Sequence, residues 1–460
     1  MTGTTDAANP KASVFRGTMT DPDRAYELDR RHVFHSWSAQ GTLDPMVITK
    51  AEGSYIWDGE GNRLLDFTSQ LVYTNLGHQH PRLVKAIQEQ AATLCTVAPP
   101  FANGARSEAA RLVASHTPGD LNRIFFTNGG ADANEHAIRM ARLHTGRAKV
   151  LSTYRSYHGG THLAINATGD PRRWASDTAS AGVVHFFGPF LYRSTHSATT
   201  EAEECQRSLE HLERIIAFEG PDTVAAILLE PIPGTAGIMV PPPGYLSGVR
   251  DLCDRFGIVL IADEVMAGFG RAGKWFAVEH DDVVPDLLTF AKGVNSGYVP
   301  LGGVAINDRI ADTFEERVYP GGLTYSGHPL ACAVAVAAIE VMEDDGIVEH
   351  AASLGRNVFG PGLRELATRH EWIGEVRGVG AFWALELVSD RGTREPLAPY
   401  GATSPAMGSI VKACVQRGML PMVNFNRVHL VPPLTTTEEQ VRTALAILDD
   451  AVTAAEQLHG

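Results

Sequence analysis

Two stretches of the chain, VAAILLEP at 224–231 and IVLIADEV at 258–265, are apolar without polar alternation and end in acidic residues. A strand that is apolar on both faces must be covered on both, which describes a parallel strand lying between layers of helix. A shorter run, DLLTFAKG at 286–293, follows the same pattern. The polar groups sit at the C-terminal ends of these runs, where an open α/β sheet binds its ligands. Upstream, LVKAIQEQAATL has a helical period and NRIFFTN reads as a strand, so strand, loop and helix alternate through the middle of the chain. The expectation is an α/β protein with a large, mostly parallel sheet.

The ends of the chain differ from the middle. SYIWDGEGNRLLDF reads as a hairpin turning at Asp58–Asn62, and a helix is expected from Asp23 to Trp37. After residue 331 an Ala-rich helix leads to RGVGAFWALELV, RVHLVPPL and a final amphipathic helix, EEQVRTALAILDDAVTAAEQ. This predicts a smaller α/β domain completed by the N-terminal segment. The expected division is a flexible tail over 1–24, an N-terminal part of the small domain over 25–80, a large ligand-binding domain over 81–335, and the rest of the small domain over 336–460.

Charge and cysteine content narrow the function. The 460 residues carry 53 acidic and 39 basic side chains, a formal net charge of −14, which argues against non-specific nucleic-acid binding. The five cysteines are scattered with no CxxC pair, so neither a disulfide framework nor a zinc site is expected, and a reducing, cytoplasmic setting is. The N-terminal residues lack the apolar core of a secretory signal, and no run is long enough to span a membrane. His158 and His162 are four apart but have no intervening glutamate or nearby third ligand, so no metal is expected.

Lys292 lies at the end of an apolar run, and a lysine is seldom buried unless it is paired or used covalently. Desolvation would lower its pKa and make its amine a nucleophile toward carbonyls, although a surface turn is also compatible with its position. Asp263 closes IVLIAD, where a buried carboxylate calls for a cation such as a protonated ring nitrogen, or else caps the next loop. Val265, two residues on, would share its face and pack against a flat ring. The small residues Gly129, Gly130 and Ala131 precede a helix expected to start near Asn134, an arrangement able to hold an anion. Tyr157 and His158 follow the strand KVLSTY.

Taken together, LLDFTSQLVYTNLGHQHP, FFTNGGADANEHAIRMAR, SYHGGTHLA, LLEPIPG, LIADEVMAGFGRAGKWFA, LLTFAKGV and LTYSGHPLACA resemble the class III, or ω-type, aminotransferases. The resemblance runs from about Tyr26 to the last helix. It implies pyridoxal 5′-phosphate as cofactor and fold type I, with a seven-stranded sheet in the large domain. Lys292 would bind the cofactor and shuttle the proton, and Asp263 would hold its pyridine nitrogen protonated. Tyr157 and Val265 would flank the ring, Gly130 and Ala131 would present amides to the phosphate, and His158 and Glu230 would complete the surroundings. Thr324 would reach the phosphate from a neighbouring subunit, implying a homodimer or tetramer with shared sites.

The chain departs from that pattern in two places. Gly129-Gly130-Ala131-Asp132 stands where relatives carry hydroxyls and a glutamate, so a side-chain donor to the phosphate is missing. Where many relatives place a carboxylate-gripping arginine, this chain has His429 or, on another alignment, Met422, with Arg427 nearby. The segment around Trp37 resembles that of taurine and ω-amine transaminases. The expected donor is therefore taurine, β-alanine or a primary amine, the expected acceptor pyruvate or 2-oxoglutarate, with ping-pong kinetics. Arg427 or His429 would pair with the donor's anion, and Trp37 and Tyr73 would form apolar walls. An aminomutase of the glutamate-1-semialdehyde type or a dialkylglycine decarboxylase would keep the same lysine and aspartate.

Overall fold

The structure is a computed structural model that describes residues 21–176 and 182–459. Of the expected tail, residues 1–20 therefore lie outside the described residues. The first helix spans Pro22–His32, with Asp21 accepting from the amides of Asp23 and Arg24. It stops short of Trp37 because Val33 turns to an extended conformation, and Trp37 itself sits in a turn with φ +53°.

Three short strands follow, β1 (Ile48–Glu52), β2 (Tyr55–Asp58) and β3 (Arg63–Asp66), and β2 and β3 form the expected antiparallel hairpin. The large sheet is built from β4 (Arg123–Thr127), β5 (Lys149–Thr153), β6 (Val183–Phe186), β7 (Val224–Leu229), β8 (Val259–Asp263), β9 (Leu287–Phe290) and β10 (Gly302–Ile306). Its order is β4-β10-β9-β8-β7-β5-β6. Only β10 runs against its neighbours, pairing antiparallel with both β4 and β9. Every residue of β7 and β8 is buried, as their unbroken apolar runs require.

The C-terminal part contributes β11 (Ile373–Val379), β12 (Phe382–Asp390), β13 (Glu395–Pro396), β14 (Met419–Leu420), β15 (Met422–Asn424) and β16 (Arg427–Leu430). Most of these form a sheet of order β11-β12-β16-β15, with β13 on the side of β12. β14 pairs parallel with β3, so the N- and C-terminal segments share a sheet. The Ala-rich helix Pro329–Asp344 packs on the helices Pro81–Thr93 and Gly104–His116, its small side chains allowing close approach.

Two local boundaries differ from the sequence expectation. The helix expected near Asn134 begins at Gly130, because a helix N-terminus leaves its first amides unbonded and glycine costs little there. β8 ends at Asp263, so Val265 lies in the following turn and not on the strand, while the Val265 amide donates back to Asp263 Oδ1 at 3.1 Å. Among the described residues, no helix is long and apolar enough to cross a membrane, and no group of three or more His, Cys, Asp or Glu is arranged to hold a metal ion.

Candidate active site

β4, β5, β7, β8 and β9 all point the same way, so the loops after them meet at one edge of the sheet, where a cavity of about 540 Å³ opens. Its lining includes Gly130 and Ala131 after β4, Tyr157 and His158 after β5, Glu230 after β7, Asp263 and Val265 at β8, and Lys292 after β9. Trp37 and Tyr73 from the N-terminal segment and Met422 from β15 close it. The register between β8 and β9 sets Asp263 beside Thr289, which brings the carboxylate and Lys292 to the same edge.

Asp263 is buried and held by three donors. Oδ2 accepts from Asn134 Nδ2 at 2.8 Å and from His158 Nδ1 at 2.7 Å, and Oδ1 accepts from the Val265 amide. Asn134 is fixed in turn: its Nδ2 also donates to the His158 carbonyl, and its Oδ1 accepts from Thr289 Oγ1 at 2.8 Å. Because Nδ1 lies on the Asp263 carboxylate, the His158 ring proton is assigned to Nδ1, and Ser152 Oγ lies 3.2 Å from Nε2. His158 lines the cavity, but its ring is spent on Asp263.

Lys292 faces the cavity with no hydrogen bond or ion pair among the described residues. Burial holds its amine below the usual lysine range, against the pull of the Asp263 and Glu230 carboxyls. Its backbone has φ +43°, uncommon for a side-chain-bearing residue. Gly293, next along, has no room for a side chain: a Cβ would lie 2.3 Å from Asn75 Nδ2 and 2.8 Å from Phe269 Cβ.

The helix Gly130–Thr145 starts at the cavity with no side chain capping it, so its first amides face inward as an anion cradle. The preceding turn is shaped by Asp132, whose Oδ2 accepts from the Asn128 amide at 2.9 Å. Val265 lies against Gly130, where a Cβ would meet both Val265 methyls at 2.8 Å. Glu230 is buried, accepting from the amides of Tyr157 (2.9 Å) and Gly234 (2.8 Å), and burial pushes its carboxyl up to about 7.

The aromatic wall contains a cation that the sequence reading passed over. The Arg172 guanidinium stacks 3.6 Å from the Tyr157 ring centroid and 5.8 Å from that of Trp37, which meets Tyr157 edge-on at 6.5 Å. Its Nε donates to Asp170 at 3.1 and 2.9 Å. Arg172 is the one guanidinium in the cavity lining among the described residues. Arg427 and His429 do not reach that lining: on β16 they are buried opposite Glu386 and Ala384 of β12. Met422 lines the cavity in their stead. Thr324 is exposed and does not line the cavity of its own chain.

These residues fit pyridoxal phosphate. An unpaired amine, a buried carboxylate open to a cationic ring nitrogen, an uncapped helix N-terminus and a glycine surface against Val265 match its aldehyde, pyridine, phosphate and ring face.

Comparison with known proteins agrees. A family model described as aminotransferase class-III matches residues 37–452. A taurine:2-oxoglutarate aminotransferase from Bifidobacterium kashiwanohense, solved in complex with PLP and glutamate, superposes with a TM-score of 0.92 at 43% identity, covering 95% of this chain and 98% of that one. An (S)-enantioselective omega-transaminase from Thermomicrobium roseum gives a TM-score of 0.87 at 35% identity, covering 95% of this chain and 98% of the other. The 5-aminovalerate aminotransferase of Pseudomonas aeruginosa is 35% identical over 416 residues, 89% of this chain and 93% of its own.

Proposed function

The chain belongs to the class-III aminotransferases, which depend on pyridoxal phosphate, and from that premise we propose that its donor is an ω-amino compound and its acceptor a 2-oxo acid. The donor is taurine, β-alanine or a primary amine, and the acceptor pyruvate or 2-oxoglutarate, in two ping-pong half-reactions. Arg172 carries this reading. It places a fixed guanidinium in the wall of the cavity that holds Lys292, while the cations near the PPL segment are buried elsewhere. A donor whose anion sits at the opposite end from its amine would reach from Lys292 to Arg172 across this cavity.

Bound in this cavity, the cofactor supplies an electron sink for the negative charge that develops at the donor carbon. Lys292, whose amine burial holds below the usual lysine range, would attach the cofactor and afterwards take the proton from the donor carbon and return it on the other side of the transfer. Asp263, kept in place by Asn134 and His158, would accept from the ring nitrogen. Gly130 and Ala131 would bind the phosphate through their amides, and Tyr157 and Val265 would hold the ring between them. Trp37 and Tyr73 exclude water from the donor's methylenes. Thr324 of one subunit would complete the phosphate cradle of the other, in a homodimer or tetramer. The five free cysteines suit a cytoplasmic enzyme.

The test is a half-reaction without acceptor. Taurine, β-alanine, 1-phenylethylamine and L-alanine are mixed in turn with the cofactor-loaded enzyme, and its visible absorption band is followed. Loss of the band with taurine or β-alanine faster than with L-alanine supports the proposal; preference for L-alanine overturns it.

A further inference from the structure

On the far side of Glu230 from the reaction cavity lies a second pocket, of about 50 Å³. Phe187, Phe190, Met239 and Leu246 make its walls apolar, and two guanidiniums, Arg155 and Arg193, line it. Glu230 belongs to both linings but has its oxygens committed to the Tyr157 and Gly234 amides.

The charges around this pocket do not balance. Arg193 donates Nε to Glu386 Oε1 at 2.8 Å and leaves Nη2 buried without a partner. Arg377 donates to Glu375, and to Glu386 Oε2 at 2.8 Å. Arg427 is 3% exposed and stacks on Phe425 at 5.2 Å, with its Nε unpartnered, as is Nε2 of neighbouring His429. Arg155 has no hydrogen bond or ion pair for its guanidinium among the described residues and stacks on Phe190 at 5.1 Å. Four guanidiniums thus gather near the two carboxylates of Glu375 and Glu386, which bond only Arg193 and Arg377 of the four, an excess of positive charge in a poorly solvated place. Arg155 also has φ +60°, a conformation that non-glycine residues keep only where the surroundings impose it, most often at functional sites.

We propose that the Arg155–Arg193 pocket is a second ligand site, distinct from the reaction cavity, for the carboxylate or sulfonate of a small organic acid with a short apolar stem. The guanidinium forks match such a head group, and the aromatic walls take the stem. The pocket's volume admits a few waters or one head group of this size, and is too small for a nucleotide or sugar phosphate. The acid comes either from the reaction's own 2-oxo acids or from an unreactive carboxylate.

The experiment uses the cofactor-loaded enzyme and 3,3,3-trifluoropropanoate, which has neither an amine nor an oxo group, followed by ¹⁹F NMR relaxation. Arg155→Gly removes the guanidinium while suiting the positive φ, so its cofactor absorbance and melting temperature stay at wild-type values. Wild type and Arg172→Gln bind the probe, Arg155→Lys binds it more weakly, and Arg155→Gly loses at least about tenfold in affinity as its charged hydrogen bonds go. Displacement by pyruvate or 2-oxoglutarate identifies the reaction's own acids as the occupant, and displacement by propanoate alone an unreactive one. No binding to wild type, Arg155→Gly affinity unchanged, or binding abolished only by Arg172→Gln overturns the proposal.

Discussion

Replacing Arg172 by glutamine separates donors that carry an anion from donors that do not. In the native chain, Asp170 fixes Arg172 through Nε, Tyr157 covers one face of the guanidinium, and Nη1 has no partner among the described residues. The substitution removes a hydrogen bond between charged groups, worth about 1.5–3 kcal/mol. It also leaves the Asp170 carboxylate, 8% exposed, without its counter-ion beside the incoming anion, which pushes the loss toward the upper end. At 1.4 kcal/mol per factor of ten, kcat/KM for taurine falls about 10- to 150-fold. The contact lasts from binding through chemistry, so the loss appears mainly in KM. 1-Phenylethylamine has no anion to place, and its kcat/KM changes by less than about threefold, the range of a substitution that breaks no substrate contact. Adding Asp170→Asn to Arg172→Gln restores part of the taurine rate by removing the stranded charge. Stopped-flow half-reactions with each donor measure these ratios. Equal losses for both donors, or an unchanged taurine rate, refute the assignment of Arg172.

Lys292→Ala eliminates turnover and the visible band of the attached cofactor, read by spectrophotometry; measurable multiple-turnover activity in this variant sinks the proposed mechanism. Asp263→Asn retains the cofactor but lowers kcat by about 10²-fold or more, the scale of an acid–base contribution, in steady-state assays. Gly293→Ala forces a methyl against Asn75 and Phe269 and costs about 1–3 kcal/mol, seen as a lower urea midpoint. Glu264 is buried with one oxygen unpartnered, and burial raises its carboxyl to about 8 against 4.5 for an unperturbed glutamate. The folded state thus favours the protonated form, so this group's contribution to stability is full below about pH 4.5 and is lost as pH rises to about 8. Glu264→Gln flattens that part of the melting-temperature profile; an unchanged slope refutes the assignment.

The large sheet is legible in the sequence because β7 and β8 are buried on both faces and have no polar residue until their ends. The loops that make the site are legible for the same reason: a polar group at the end of such a strand has to lie at the sheet's edge. The support of Asp263 is not. Asn134 and His158 are 129 and 105 residues away from it in the chain, and only the sheet order brings them together. Arg172 sits in GDPRRW, which reads as an ordinary turn, and nothing local shows that Asp170 aims its neighbour at Tyr157. Arg427 and His429 are attractive in sequence because they precede the PPL segment, but the pairing of β16 with β12 sets Arg427 opposite Glu386 and turns both residues into the interior.

Lys292 shows most clearly why its role has a tertiary cause. Positive φ angles cluster on both sides of the cavity floor, at Ser69, Gln70 and Val72 on one segment and at Lys292 and Ser296 on the other. Strain of this kind survives only where the surroundings over-determine it. Here the two segments are locked together: Ser296 Oγ accepts from the Leu76 amide at 2.9 Å, and Asn75 Nδ2 donates to the Phe269 carbonyl at 2.9 Å. Arg271, fully buried, ties both to the C-terminal part. Its Nη2 donates to Asn75 Oδ1 at 2.9 Å and Ser69 Oγ at 3.3 Å, and its Nη1 donates to the carbonyls of Ala381 and Pro432. Among the described residues no carboxylate bonds this guanidinium, and burial lowers its pKa to about 9. A buried cation whose two Nη groups are held by neutral acceptors from three distant segments, with Nε left unpartnered, is costly to assemble piecemeal, so the network forms as a unit or leaves Arg271 stranded. The lysine's strained backbone is therefore set with residues more than 200 positions upstream and 89 and 140 downstream of it, which is why its own neighbours in sequence are also compatible with a surface turn.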